Sequence, residues 1–184
     1  KAYWNEGYPD DYARALNYIE HITAPAKAIE PDATAKTGIV HADTGEASVF
    51  HYADTASSRA GTAVLAARFA QQKIAIIGLG GTGSYALDFI AKTPVAEIHL
   101  FDGDRMLSHN AFRSPGAASL DELREMPFKV EYYANIYGKQ RKGIHTHAYH
   151  VTADNVSELA NMDYIFVCVD KPAAKAPIID FLEK

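Results

Sequence analysis

Cysteine is almost missing from this chain: Cys168 is the only one in 184 residues. That excludes an intrachain disulfide and any cluster of thiolates around a metal. No apolar run approaches the roughly 20 residues needed to cross a bilayer, and no secretory leader opens the sequence. These absences lead us to expect a cytoplasmic protein with no membrane partner. Positive charge is not in excess either. Eighteen Lys and Arg stand against 23 Asp and Glu, a formal charge of -5, so nucleic acid is not attracted overall and is not expected as a partner. Internal repeats and low-complexity tracts are lacking too. What is present is ordinary globular material, 48% apolar and 22% charged, enough for one well-buried core. The chain starts at Lys1 instead of Met and stops at Lys184 in helix-like sequence, and so reads as an excised piece of a longer protein.

Residues 1–54 differ in texture from the rest. Tyr3, Trp4, Tyr8, Tyr12 and Tyr18 crowd the start, while Pro25 and Pro31 are expected to interrupt any long helix. Two β-leaning runs, residues 37–41 and 47–52, flank Asp43-Thr44-Gly45 and suggest a hairpin. The expectation is a small N-terminal α+β appendage, residues 1–54, that packs its aromatics on a main domain of residues 55–184.

From Thr55 one helix is expected, with Val64, Leu65, Arg68 and Phe69 on one face and Asp54 or Ser57 as its cap. Lys73–Ile77 is apolar throughout, as a buried parallel strand is. A helix from about Thr82 should turn Ala86, Phe89 and Ile90 to the sheet and end near Thr93-Pro94. Glu97–Phe101 reads as the second strand, followed by a long polar connection over 103–118. Ser119 and Glu122 match a capping box, and Pro127 suits the first turn of a helix that continues to Tyr137. Further strands are expected at 144–151 and 164–169, a helical turn at 155–160, and a helix from Pro172. Strands alternating with helices imply an α/β fold: a Rossmann-like, largely parallel sheet with helices on both faces.

The chemistry concentrates between Lys73 and Arg113. Gly78-Leu79-Gly80-Gly81-Thr82-Gly83 follows a strand and opens a helix, the setting in which missing side chains let backbone approach a phosphate at a helix N-terminus. Asp102, about 20 positions on, suits a ribose hydroxyl. Asp104 is a second carboxylate, apt for positioning Mg²⁺ or its waters. Asn110 and Arg113 follow; Arg113 supplies a permanent charge with a planar donor fork for phosphate oxygens. Lys129 can bring another cation to the same crevice, and Asp170 ends a strand at the edge where such sheets bind ligands.

The ordered set Gly-x-Gly-x-x-Gly, Asp-x-Asp, Asn-x-x-Arg, a later Lys and a strand-terminal Asp resembles the ThiF/MoeB and ubiquitin-activating-enzyme superfamily, over roughly residues 59–170. The wording GGTGSYALDFIAKTP with HNAFRSPGA is similar to a bacterial ThiF-type branch with an extra N-terminal domain. The resemblance implies ATP as cosubstrate, with Gly78, Gly80, Gly81, Thr82 and Gly83 at its phosphates and Asp102 at its ribose. It implies Mg²⁺ organised by Asp170, with help from Asp104. Arg113, Lys129 and Asn110 would stabilise charge while a carboxylate attacks the α-phosphate, and Arg59 would reach a partner's ATP across a homodimer. The implied activity is ATP-dependent adenylation of the C-terminal carboxylate of a ubiquitin-like or sulfur-carrier protein. The chain departs from the family at Ser114-Pro115, where Gln is common, and at Lys171-Pro172. The family's catalytic cysteine and zinc cysteines would fall beyond Lys184.

Three other readings compete. An NAD-dependent oxidoreductase uses the glycines and Asp102 but leaves Asp104, Arg113 and Lys129 without a task. A pseudo-subunit would hold nucleotide and scaffold an active partner. A tRNA-modifying cyclase would adenylate a small-molecule carboxylate. Cys168 sits inside a strand and is read as packing, not as a nucleophile. His145, His147 and His150 invite a metal, but His150 falls on the opposite face from the other two, and two imidazoles without a third ligand argue for plain strand positions. His109, beside Asn110, can line the nucleotide site but receives no role.

Overall fold

The structure is a computed structural model that describes residues 7–33 and 48–183. By contacts the chain divides into two compact units, residues 1–40 and 41–184. In the first, α1 (Asp11–Ile29) is capped by Asp10, whose carboxylate accepts the Ala13 N–H at 2.7 Å. Pro25 lies inside this helix instead of ending it. Proline takes away one intrahelical hydrogen bond, and the flanking turns carry the helix through. The hairpin expected over 37–52 lies outside the described residues apart from 48–52, where Phe50 forms an antiparallel bridge with Arg141.

The second unit begins with α2 (Thr55–Arg59), capped by Asp54 through the Ala56 and Ser57 amides. The single helix expected here is broken. Gly61 takes φ +67°, and the chain restarts as α3 (Ala63–Ala66) with a 3-10 turn over Ala67–Phe69. Val64 and Leu65 are consequently exposed, whereas Phe69 packs on the core.

Then come β1 (Lys73–Ile77), α4 (Gly81–Ala91), β2 (Glu97–Phe101), α5 (Ser108–Ala111), α6 (Leu120–Glu125), α7 (Lys129–Tyr137) and β3 (Ile144–His147). A 3-10 turn over Val156–Asn161, β4 (Tyr164–Val167) and α8 (Pro172–Leu182) complete the unit. The four strands are all parallel, in the order β3-β2-β1-β4. This is the Rossmann-like α/β fold expected from the alternation of elements.

Strand alternation divides the core in two. Ile74, Ile76, Ile98 and Leu100 face a layer that contains Leu87 and Ala91 of α4 and Val130, Tyr133 and Tyr137 of α7. Ala75, Ile77 and Phe101 face the other side, with Val156, Leu159 and Ile178 of α8. A fully buried side chain such as Leu87 contributes roughly 1.5–3 kcal/mol.

The face of α4 differs from the expected one: Phe89 is 69% exposed. Gly83 sets the phase, because a Cβ there would lie 1.8 Å from the Gly78 carbonyl oxygen. The helix must therefore press positions 83, 87 and 91 against the sheet. The capping box of α6 forms as read, with Ser119 and Glu122 exchanging hydrogen bonds. Pro127 stands two residues ahead of α7, whose N-cap is Phe128. The last two strands are shorter than expected. Among the described residues β4 pairs with β1 alone, Tyr164 and Phe166 are partly exposed on this edge, and Cys168 lies just past the strand.

Candidate functional site

The carboxyl ends of β1, β2 and β4 form one cleft, built first by the glycine turn. Gly78 takes φ +88°, and a Cβ there would meet Val169 Cγ1 at 2.9 Å. Only glycine lets the end of β1 pass this close to the chain after β4. Gly80 is the N-cap of α4 and has no side chain to satisfy the first amides. A Cβ on Gly80 would touch nothing within 4 Å, so the space over the helix N-terminus is open to an anion. Gly81 lies beneath Arg113, whose carbonyl oxygen and Cδ would be 3.5 and 3.9 Å from a Cβ at that position.

Asp102 ties the turn to the next loop. The Leu79 amide donates to its Oδ2 at 2.6 Å and the Asp104 amide to its Oδ1 at 2.8 Å. The carboxylate is only 5% exposed. With about four acceptor positions on the two oxygens, it can hold the turn and still accept from a ligand hydroxyl.

Lys129 is also 5% exposed. Its Nζ donates to Asp104 Oδ2 at 2.8 Å and stands 3.5 Å from Asp102 Oδ2. A buried ammonium needs such pairing to offset its lost hydration. In return Lys129, mainly through its hydrogen bond, holds the Asp104 carboxyl below the usual range, and His150 adds a smaller contribution. The chain delivers Lys129 by pairing residues 104–106 with 127–129. Met106 N–H donates to Pro127 O, Lys129 N–H donates to Asp104 O, and Arg105 lies over the Phe128 ring at 4.5 Å.

Arg113 is exposed, lines the cleft and has no ion-pair partner among the described residues. Asn110 works behind it. That side chain is 4% exposed, accepts the Leu107 N–H at 3.0 Å, and is not among the residues lining the cleft. Its own carbonyl accepts from Arg113 N–H at 3.0 Å and from Ser114 Oγ. Asn110 thus shapes the loop that presents Arg113.

Asp170, at the other wall, is exposed and likewise lacks an ion-pair partner among the described residues. Asp104 and Asp170 together bring hard oxygen donors of the kind Mg²⁺ takes. Because Lys129 engages Asp104, Asp170 is the freer of the two. With Thr82 and Lys171 these residues line about 390 Å³, within the range of small-molecule sites. A smaller cavity of about 190 Å³ adjoins them, shared at Gly78, Asp102, Asp104 and Asp170 and walled by Ile77, Phe101, Val151 and Ile178.

The sequence-predicted residues therefore mostly converge. Arg59 does not; it is exposed on α2 and lines neither cavity. His109 is not among the lining residues either. Two cleft residues were missed. In the sequence Lys171 stands out only as a departure from the family pattern. His150, 3.7 Å from Asp104, belongs to the cleft and not with His145 and His147, beside which the sequence sets it. Its position after a strand, on the opposite face from His145 and His147, was the available signal.

The comparisons with known proteins fit this geometry. A family model described as the ThiF family matches residues 54–182. A second, a domain of unknown function (DUF6791), matches residues 1–55. Among solved structures, E. coli tRNA N6-threonylcarbamoyladenosine dehydratase, TcdA, is similar with a TM-score of 0.57 and 25% identity, over 69% of this chain and 53% of that one. Its complex with ATP is similar with a TM-score of 0.54 and 24% identity, over 69% and 53%. E. coli MccB with SeMet MccA shares the fold with a TM-score of 0.56 and 18% identity, over 65% of this chain and 36% of that one. The chain spans about half the length of the TcdA structures it resembles. No curated protein matches significantly.

Proposed function

The chain belongs to the ThiF family, and from that premise we propose that it binds ATP in this cleft and adenylates a carboxylate, releasing pyrophosphate. The carboxylate in this reading is the C-terminus of a ubiquitin-like or sulfur-carrier protein. Residues 55–184 are the adenylating domain and residues 1–54 an appendage; the enzyme works in the cytoplasm as a homodimer, with Arg59 directed to the partner's nucleotide.

One observation carries the reading: two cations of different kind flank the open glycine turn. Arg113 lies over Gly81 with no carboxylate partner among the described residues, while Lys129 is buried between Asp102 and Asp104. A dinucleotide oxidoreductase has no use for such a pair. Attack on an α-phosphate does.

The triphosphate lies against the Gly80 and Gly81 amides, and the ribose against Asp102. The carboxylate oxygen forms a bond to the α-phosphorus as the bond to the bridging oxygen of pyrophosphate breaks, and the electron pair leaves with pyrophosphate. Arg113 and Lys129 are fixed charges that stabilise the added negative charge on the phosphorus and the leaving group, without reorganising at the moment of reaction. Asn110 holds the Arg113 loop in place. Asp170, with Asp104, would hold Mg²⁺, which when bound neutralises phosphate charge.

Exchange of pyrophosphate into ATP is the test. Exchange that depends on a carrier protein supports the reading. Exchange that needs only a small carboxylate moves the substrate to that class and away from a carrier protein. No exchange with any acceptor, together with tight NAD binding, overturns it.

A further inference from the structure

At the other end of β2, away from the nucleotide cleft, Glu97, His99 and His145 meet on one sheet face. Register places His145 beside His99, and alternation places Glu97 on the same side. The two imidazoles stack with centroids 4.6 Å apart. Glu97 Oε2 lies 3.1 Å from His99 Nε2 and 4.0 Å from His145 Nε2, and one ligand atom from each residue falls within 4.8 Å of the others. A zinc ion with bonds of about 2.0–2.2 Å separates its tetrahedral ligand atoms by about 3.3 Å. The rings stack at 22°, so rotation of the half-exposed His145 side chain is what turns both Nε2 lone pairs onto one ion.

The hydrogen bonds behind His99 favour the same conclusion. His99 Nδ1 lies 3.2 Å from His147 Nε2, His147 Nδ1 lies 3.0 Å from Tyr149 Oη, and Tyr149 donates to Glu158 Oε2 at 2.6 Å. Tyr149 has one proton, and the glutamate takes it. His147 Nδ1 must then donate to the tyrosine oxygen, His147 Nε2 must accept, and His99 Nδ1 must donate. That leaves the His99 Nε2 lone pair facing the Glu97 carboxylate, two donor atoms aimed at one position as around a metal ion. A ligating histidine that donates its other N–H to a fixed acceptor is the usual support of a metal site. Lys73 Nζ, 3.0 Å from Glu97 Oε1, engages the other carboxylate oxygen and leaves Oε2 available. His99 is mostly shielded and His145 half exposed, so one coordination position faces solvent.

We propose that Glu97, His99 and His145 bind one borderline divalent cation of the zinc class, with water as a further ligand and the His147–Tyr149–Glu158 chain orienting His99. Two imidazoles select this class over the harder cations suited to the carboxylates of the cleft. The ion would tie the edge strand β3 to β2.

Zinc alone, then cobalt alone, is titrated into the 184-residue protein by competition with a chromophoric chelator, while the imidazole nitrogens are followed by NMR. One ion per chain is expected, with the resonances of His99 and His145 moving and that of His51 still. His145→Ala and Glu97→Gln should each weaken binding by at least about tenfold, and His147→Phe by about tenfold as a positioning change. His145 is on the surface, so its variant should keep the thermal unfolding midpoint of the metal-free protein. His150→Ala, in the cleft, should leave zinc affinity unchanged. No binding, or binding undiminished in both His145→Ala and Glu97→Gln, overturns the proposal. ATP binding by His145→Ala is measured alongside and should be intact, so failure of this site is distinct from failure of the adenylation reading.

Discussion

The two ends of the sheet each bury one cation, and they hold it in opposite ways. At the carboxyl ends of the strands, Lys129 is balanced by Asp102 and Asp104 beside an open cleft. At the amino ends, Arg141 is 1% exposed and has no carboxylate partner among the described residues; its guanidinium donates to the carbonyls of Thr93, Val95 and Lys142. Burial lowers the Arg141 pKa to about 10, so it is still charged at neutral pH, and among the described residues its charge is met by backbone dipoles. The difference separates a staple from a site. A carbonyl cage engages each of the three guanidinium nitrogens and buries them away from any ligand. An ammonium shared by two carboxylates next to solvent can redistribute its contacts when phosphate arrives.

The largest effect that would break this division is expected at the staple. Arg141→Met takes the donors from the buried Val95 carbonyl and from the partly buried Thr93 and Lys142 carbonyls and should cost about 2–4 kcal/mol of folding stability, read from the denaturant midpoint. ATP affinity per folded molecule should not change. A parallel loss of ATP affinity would mean that the two ends are not independent.

Lys129→Met comes next and should act the other way. Pyrophosphate exchange should fall by about 10²–10³-fold, the scale for removing one fixed transition-state charge. Stability should fall by only about 1–2 kcal/mol, because Asp102 keeps two N–H donors and the Asp104 side chain is 60% exposed. A stability loss as large as that of Arg141→Met with normal exchange would make Lys129 a second staple. Arg113→Ala should lower exchange by about 10²-fold and shift stability by less than about 0.5 kcal/mol, as surface changes do; thermal unfolding beside the exchange assay checks both.

How far the sequence foretold the two ends follows from what each depends on. β1 and β2 were readable to the residue because unbroken apolar runs between turn signals leave little choice. The glycine turn and the Ser119 capping box were readable because local backbone chemistry dictates them. Gly61 broke a helix that periodicity alone had carried through, and Gly83 turned α4 so that Phe89 faces out; in both cases backbone geometry overruled side-chain pattern. The cluster around His99 needed register, since Glu97 and His145 are far apart in sequence and adjacent only when β2 pairs with β3. Arg141 gave no signal of its own. Its partners are carbonyls, which every residue carries. Asn110 was recognised from its motif, but its place behind the Arg113 loop could come only from the fold.

The smallest effect is the pH response, and it bears on the same contrast. The folded pKa of Asp104 is depressed, chiefly by its hydrogen bond from Lys129. Its stabilising contribution is therefore complete above the unfolded value of about 4 and is lost as pH falls through the lower folded value. Because the side chain is 60% exposed, solvent screening limits the contribution to under about 1 kcal/mol. Other depressed carboxylates, Asp54, Glu97 and Glu122, add their own acid sensitivity, so the informative quantity is the difference between the parent protein and Asp104→Asn. That difference in denaturant midpoint should be steady near neutrality, shrink as the pH falls below about 4, and narrow at neutral pH when salt is raised. The gap produced by Arg141→Met should not move over the same acid range, since that guanidinium titrates near 10. An Asp104→Asn gap that persists unchanged into acid would remove the ionic character assigned to the cleft end and leave the two buried cations alike.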